Sequence, residues 1–268
     1  MTTKAWTSSY VAPATPEMPL SNWANLTQMF QEAAGKYARL PAFSISLPNG
    51  MNGRLTYAQL DAESNAFAAY LRNELKLAAG DRVALQMPNC LTYPVAAIGI
   101  LKAGCVLVNT NPLFTAPEME FQFKDSGAKV LIILDLFTKN LEDVLAKTSI
   151  ERVVVCKITE YMPSAVAGLV RLVQRAWDRS IPKMNFPHAQ FSTLMSKSRK
   201  QFGASAEASV LSWSKDLTFE SLAALQYTGG TTGVAKAAML THGNLVSNTI
   251  QCQSFMQADM RPGKEVAL

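Results

Sequence analysis

The sequence predicts an α/β fold in which mainly parallel sheets are flanked by helices. Three observations carry this. From Leu55 onward, short β-branched apolar runs alternate with segments of helical spacing, the order expected of βαβ units. With 268 residues, 49% of them apolar, the chain has material for a sizeable core in one large domain or two modest ones. Finally, the strand-like run LAALQ passes directly into a loop rich in glycine and threonine, after which a helical pattern resumes.

The N-terminal stretch MTTKAWTSSYVAPATPEMP has one lysine and no apolar h-region. It reads as an extended, Pro-rich lead-in and not as a secretory signal. The segment AQLDAESNAFAAYLRNEL follows as a helix, with Leu60, Ser64, Phe67, Leu71 and Leu75 close to one stripe. The strands read as DRVALQM, CVLVN, KVLIIL and RVVVC. Between them, TYPVAAIGILKAG, APEMEFQFKDSG and LFTKNLEDVLAKT carry helical spacing and end in Gly or polar residues. No internal repeat or low-complexity tract appears.

After Cys156 the rhythm changes. On a helical wheel of MPSAVAGLVRLVQRAWDRSIPKMNFP, residues Met162, Val166, Leu169, Val170, Val173 and Trp177 share one side, while Arg171, Arg175 and Arg179 take the other. A basic amphipathic helix over Met162–Arg179 has two readings: a surface helix packed on its own domain, or an interfacial helix resting on anionic lipid with Trp177 at the headgroup level. The polar stretch SKSRKQFGASAEAS comes next, strand signals return at LAALQY, and the closing GKEVAL reads as the opening of a further strand. No run reaches the about 18 uninterrupted apolar residues that a membrane-spanning helix needs, since VAAIGIL is stopped by Lys102.

The net charge is +5, but the basic residues are scattered and form no long run, so nucleic acid is not indicated as a partner. Cys90, Cys105, Cys156 and Cys252 stand far apart with no CxxC pair and no nearby histidine. That spacing indicates neither a disulfide framework nor a zinc site, and a reducing cytoplasm fits it. Cys252 has neighbours of helical spacing and reads as a buried or half-buried thiol. His188 lies in a Pro-bounded loop; His242, in the first turn of a helix, reads as a local hydrogen-bonding residue, with an approach to phosphate as the alternative. No catalytic triad can be assembled from these groups.

The stretch Tyr227 to Leu245, YTGGTTGVAKAAMLTHGNL, holds the chemistry. Glycines 229, 230 and 233 lack Cβ atoms and admit positive φ, so successive backbone N–H groups can turn toward one anion. Thr228, Thr231 and Thr232 add hydroxyl donors, and Lys236 adds a cation at the end of the loop. Together these read as a phosphate cradle; a solvated Gly/Thr-rich turn is the plainer reading of the same composition. The spacing is not that of a Walker A loop, because Val234 and Ala235 separate Gly233 from Lys236. Thr241 is placed to cap the helix that follows.

This string resembles the signature loop of the acyl-adenylate-forming (AMP-binding) superfamily, and its TGGTTGVAK wording is similar to that of bacterial long-chain fatty-acid–CoA ligases. The stretches RLTYAQLDAESNAFAAYL, GDRVALQMPNCLTYPVAAIGILKAGCVLVNTNPLFTAPEMEFQFKDSGAKVLI and GKEVAL resemble that family in the same order. The resemblance implies two half-reactions: a fatty carboxylate attacks the α-phosphate of Mg-ATP to give acyl-adenylate and pyrophosphate, and the thiol of coenzyme A then displaces AMP. It implies that Tyr227, Thr228, Gly229, Gly230, Thr231, Thr232, Gly233, Val234, Ala235, Lys236, Ala237 and Ala238 hold the nucleotide phosphates. The hydroxyls of Thr231 and Thr232 would lie near Mg2+, and no catalytic residue is expected within the chain.

The resemblance further implies that residues 1–268 are the N-terminal part of an incomplete adenylate-forming domain, with the mobile C-terminal domain absent. The acidic metal motif, the adenine contacts and the adenylation lysine would then lie beyond it. Other implied readings are a phosphate- or membrane-binding remnant without catalysis, and another acyl- or aryl-CoA ligase of the superfamily. The expected place is the cytoplasm, with peripheral contact at the inner membrane face. Where the family has Gly after the loop lysine, this sequence has Ala237; a positive φ there would cost roughly 1–2 kcal/mol.

Overall fold

The chain enters its fold through helix α1 (Leu26–Lys36) and a two-stranded antiparallel sheet of β1 (Pro41–Ser46) and β2 (Asn52–Thr56). The computed structural model describes residues 21–46, 52–139, 141–174, 181–228, 235–256 and 260–267, so the lead-in over residues 1–20 lies outside the described residues. Asn25 starts α1, accepting from the Gln28 N–H at 2.9 Å while its amide donates to Ser214 O and Leu217 O. Helix α2 (Tyr57–Ala69) is started by Thr56 and Gln59, each side chain accepting from the other's backbone N–H at 3.2 and 2.9 Å, a reciprocal pairing that satisfies two otherwise free donors. It closes in a π-helical turn, Tyr70–Glu74, and Lys76 takes a left-handed φ of 57° as Leu77 N–H returns to Leu71 O. Leu60, Ser64, Phe67 and Leu71 of the expected stripe are buried and Leu75 is half-buried.

The four apolar runs become β3 (Arg82–Gln86), β4 (Val106–Thr110), β5 (Val130–Leu134) and β6 (Arg152–Cys156). Their connections are α3 (Thr92–Lys102), α4 (Ala116–Ser126) and a short α5 (Leu141–Leu145). Alternate residues serve two cores. Val83, Leu85, Leu107, Ile132 and Val154 pack with Val95, Ala96 and Ile100 of α3 on one face. Ala84, Val106, Val108, Leu131, Ile133 and Val155 pack with Met119 and Phe123 of α4 on the other. Coverage on both faces explains why these strands read as continuous apolar runs.

Among the described residues, the remaining elements complete a seven-stranded sheet in the order β7-β6-β5-β3-β4-β8-β9. They are α6 (Ser164–Leu172), β7 (Ala189–Gln190), α7 (Phe191–Phe202), α8 (Ala206–Ser214), β8 (Leu222–Thr228), β9 (Lys236–Thr241) and α9 (His242–Met256). Every pairing is parallel except β8 with β9, so the α/β class with a mainly parallel sheet is the architecture found. From β3 the chain passes to β4 on one side and then back to β5 on the other. Such a reversal leaves a crevice at the carboxyl ends of the strands, where ligands of open α/β sheets bind.

Several expectations are corrected. LFTKNLEDVLAKT is not one helix but a 3-10 turn, Asp135–Phe137, followed by α5. SKSRKQFGASAEAS, for which the sequence predicts no element, is mostly helical, within α7 and α8, because Phe191, Leu194, Met195 and Val210 supply buried anchors around the polar positions. KAAMLT is a strand that its helix-forming composition conceals, and pairing with β8 overrides propensity. Residues 265–267 of GKEVAL form no strand and Val266 is exposed. Cys252 is exposed on α9, while Cys90, Cys105 and Cys156 are buried.

Helix α6 is also turned from its expected orientation. Its Arg171 guanidinium faces inward, in contact with Asp135, whose side chain is 2% exposed, and bonds Gln174 Oε1 at 3.3 Å. That pairing splits the apolar stripe: Val166 and Val170 are half-buried, whereas Leu169, Leu172 and Val173 are exposed. Met162 is buried in the turn before the helix. Arg175, Trp177 and Arg179 lie outside the described residues.

Helices α2 and α3 approach closely at Gly99, where a Cβ would fall 2.8 Å from Phe67 Cδ1 and 3.1 Å from Ser64 O. One turn on, the Lys102 ammonium is fully buried at 0% exposure. It donates to Asp61 Oδ1 at 2.7 Å, Ser64 Oγ at 2.8 Å and Asn65 Oδ1 at 2.7 Å, and lies 5.0 Å over the Phe30 ring of α1. Burial lowers its pKa to about 8 against the opposing pull of Asp61. Replacing Lys102 with Met strands these acceptors, and urea unfolding at pH 7 is expected to show a loss of about 3 kcal/mol. Between pH 8 and the unfolded value of 10.5, the unfolded chain holds a proton that the folded chain gives up, so this lysine's contribution to stability rises with pH. The advantage of wild type over Lys102→Met therefore widens across that window. A constant gap would refute the lowered pKa.

Candidate nucleotide-phosphate site

Strand β8 carries the sequence LAALQYT to the carboxyl edge of the sheet, beside β4. The chain returns as β9 with Thr228 opposite Lys236, Tyr227 opposite Ala237 and Gln226 opposite Ala238. Of the sequence-predicted site residues, Tyr227, Thr228, Ala235, Lys236, Ala237 and Ala238 are therefore brought together at the mouth of one loop. Gly229, Gly230, Thr231, Thr232, Gly233 and Val234 lie outside the described residues. Thr228 and Lys236 are both exposed, and Lys236 forms no ion pair among the described residues. A hydroxyl and an uncommitted ammonium thus share one rung, an arrangement suited to an anion. Ala237 lies in extended β9 and is not among the positive-φ residues described. The strain considered for it does not arise.

The strand end is held from both faces. On the α4 side, the Tyr227 hydroxyl donates to Asp125 Oδ2 at 2.6 Å. Burial first, and then this carboxylate, push the Tyr227 pKa well up, which keeps the hydroxyl a donor. On the α3 side, Asn109 Nδ2 donates to Gln226 Oε1 at 3.2 Å, and Gln226 Nε2 donates to Tyr227 O at 3.4 Å. Tyr93 OH reaches Asn109 Oδ1 at 3.3 Å, while Gln122 Nε2 from α4 donates to Asn109 O at 3.0 Å.

Sequence reasoning missed Asp125, Asn109, Gln226 and Tyr93. One signal was present. Asp125 stands in the last turn of α4, where the helix dipole disfavours a carboxylate; a residue set against its local electrostatics needs a partner elsewhere. Asn109 and Gln226 likewise interrupt apolar strands.

His242 does not serve the loop. It is 1% exposed; its N–H donates to Ser221 O at 2.9 Å and its Nδ1 accepts from Leu26 N–H at 3.3 Å. It is a hydrogen-bonding residue, but its ring partner is distant in sequence, tying α9 to α1. Thr241 caps α9, its Oγ1 accepting from Asn244 N–H at 3.1 Å. His188 Nδ1 lies 2.9 Å from Phe186 O, and its ring meets the Phe186 ring at a tilt of 59° with centroids 5.5 Å apart. Among the described residues, no group of three or more His, Cys, Asp or Glu side chains is placed to hold a metal ion, so no carboxylate here is assigned to Mg2+.

The model of the family described as AMP-binding enzyme matches residues 30–268. The chain is 40% identical over 265 residues to the long-chain-fatty-acid–CoA ligase of Salmonella typhimurium, a match covering 99% of this chain and 45% of that enzyme. It is 29% identical over 270 residues to the long-chain-fatty-acid–CoA ligase of Bacillus subtilis, covering 99% of this chain and 44% of that one. The chain thus spans less than half the length of these curated relatives. Among solved structures, a long-chain-fatty-acid-CoA ligase from Archaeoglobus fulgidus superposes with a TM-score of 0.62 at 22% identity, over 90% of this chain and 42% of that one. An anthranilate CoA ligase in complex with anthranoyl-AMP gives 0.62 at 20% identity, over 83% and 36%. These two likenesses show the fold alone.

The buried His242 makes a pH effect measurable. Burial lowers its pKa to about 4 from 6.5. As pH falls from 6.5 to 4 the unfolded chain takes up a proton that the folded chain refuses, so stability present above pH 6.5 is lost through that window. Between pH 7 and 4.5, wild type should lose on the order of 2–3 kcal/mol more than His242→Gln in urea unfolding. Equal losses in the two proteins would mean that the imidazole is not held neutral.

Proposed function

The chain belongs to the AMP-binding enzyme family, and on that premise we propose that it supplies the N-terminal part of a long-chain-fatty-acid–CoA ligase. The observation that carries the reading is the identity of 40% to the Salmonella typhimurium enzyme along 99% of this chain. In the proposed reaction a fatty carboxylate attacks the α-phosphate of ATP, the bond to pyrophosphate breaks, and coenzyme A thiol then displaces AMP from the acyl-adenylate. The chain's own contribution is positioning and charge neutralisation. Backbone N–H groups and threonine hydroxyls of Tyr227 to Ala238 hold the β- and γ-phosphates, and Lys236 offsets charge on the departing pyrophosphate. Thr231 and Thr232 are the hydroxyls proposed to lie near Mg2+. ATP and coenzyme A as co-substrates put the reaction in the cytoplasm.

The test is a chimera in which residues 30–268 replace the matching segment of the Salmonella typhimurium ligase. ATP–pyrophosphate exchange should depend on a long-chain fatty acid, and Lys236→Met should slow it about 100-fold, as expected for losing a charge contact in a partly dehydrated site. Exchange that responds to anthranilate and not to fatty acid would favour an aryl-CoA ligase. Fatty-acid-dependent exchange unaffected by Lys236→Met would remove the lysine from its role, and a folded chimera without exchange would favour a non-catalytic remnant.

A second proposal concerns α6, which offers Leu169, Leu172 and Val173 outward: this face rests on a membrane surface, where the substrate fatty acids partition, with the chain's net charge of +5 favouring anionic lipid. No helix among the described residues is long and apolar enough to cross a membrane, so the contact is peripheral. Co-sedimentation with anionic vesicles should exceed that with neutral ones, weaken with added salt, and fall several-fold in a Leu172→Glu variant. Equal sedimentation with both vesicle types, or with neither, would leave α6 a plain surface helix.

A further inference from the structure

The loop between β8 and β9 is rich in glycine, and glycine surrenders more backbone freedom on ordering than any other residue. A ligand gripped by such a loop must meet that cost unless the loop's ends are already fixed. One end is Thr228, the other Lys236, and they face each other across a single rung. Three side chains converge on the residues immediately upstream. Asp125 takes the Tyr227 hydroxyl at 2.6 Å from α4. Asn109 Nδ2, from β4, donates to Gln226 Oε1 at 3.2 Å, and Gln226 Nε2 in turn donates to Tyr227 O at 3.4 Å. Because neighbouring strand residues point to opposite faces, Tyr227 is gripped from the α4 face and Gln226 from the α3 face.

We propose that Asp125, Asn109 and Gln226 are positioning residues for the Thr228–Lys236 rung, acting through Tyr227 to fix the hydroxyl and the ammonium at one spacing before a triphosphate arrives. The inference rests on the reading of this loop as the triphosphate site. None of the three is assigned a contact with the triphosphate. The Asp125 grip has a chemical reason to be an acid: an ionised acceptor makes the shorter, stronger bond to a phenol, and α4 carries it at the end where its own dipole opposes it. Tyr227 is itself buried in the core that holds Phe123, Val108 and Leu225, while Asp125 is exposed at its rim.

The 268-residue chain itself serves for the test, with Asp125→Ala, the conservative Asp125→Asn that keeps an acceptor oxygen, and Asn109→Ala. Two quantities are read: hydrogen exchange of peptides spanning residues 226–238 against those of β5 and β6, and the dissociation constant for Mg-ATP. Asp125→Ala should speed exchange at 226–238 about tenfold with β5 and β6 unchanged, and should weaken Mg-ATP about tenfold. Asp125→Asn, which keeps an acceptor oxygen without the charge, should recover only part of both effects, and Asn109→Ala should lie between wild type and Asp125→Ala. Exchange at 226–238 left at the wild-type rate, or raised equally across the molecule, would overturn the proposal, since ordinary destabilisation moves every strand together. If the local exchange pattern holds while wild type binds no Mg-ATP, the ordering role stands and the triphosphate reading fails.

Discussion

The ammonium of Lys102 is the point from which the packing of one face of the molecule is set. It stands at the end of α3, where the helix dipole favours a cation, yet it has no access to water and must find its partners in protein. Asp61, Ser64 and Asn65 of α2 provide them, and Phe30 of α1 lies over it. An ion of this kind is costly to bury and more costly to strand, so α1, α2 and α3 are held in one relative placement. Gly99 brings α2 and α3 to near contact one turn earlier. Since α3 leads directly into β4 and covers β3, the registration of these helices fixes where the central strands lie.

What the sequence made readable follows from which surfaces are covered. VLIIL and RVVVC lie between two cores, so every position is apolar and the strand announces itself. Lys236 to Thr241 forms an edge strand of Ala, Met and Leu with one neighbour, and nothing in its composition separates it from a helix. α7 and α8 bury only a few anchors each, too few to stand out among serines and lysines. The orientation of α6 was illegible for a different reason: a wheel ranks faces by hydropathy, whereas Asp135 selects one arginine and turns the helix toward it.

The site divides in the same way. Glycines, threonines and a lysine in order are readable in the sequence as a candidate phosphate cradle because that expectation rests on residue types at fixed spacing. The groups that hold its mouth are single polar residues scattered over α4, β4 and β8, joined only by the fold; Asp125 and Tyr227 are 102 positions apart in sequence. Local rules describe such residues as misfits. An acid against a dipole and an amide inside an apolar strand each mark a tertiary partner without naming it.

β9 closes the sheet with an antiparallel strand whose far side is unpaired among the described residues, and Met239 on it is 69% exposed. An open edge of this composition is a template on which another chain can add a strand, and a lysine on an edge is one of the devices by which proteins discourage such growth. Lys236 is the first residue of that edge. Under the proposed anion role, the same charge would also discourage strand addition at this edge, and neutralising it is expected to alter both behaviours together. The two effects are separable by their dependence on protein concentration, because strand addition is bimolecular in the chain and phosphate binding is not.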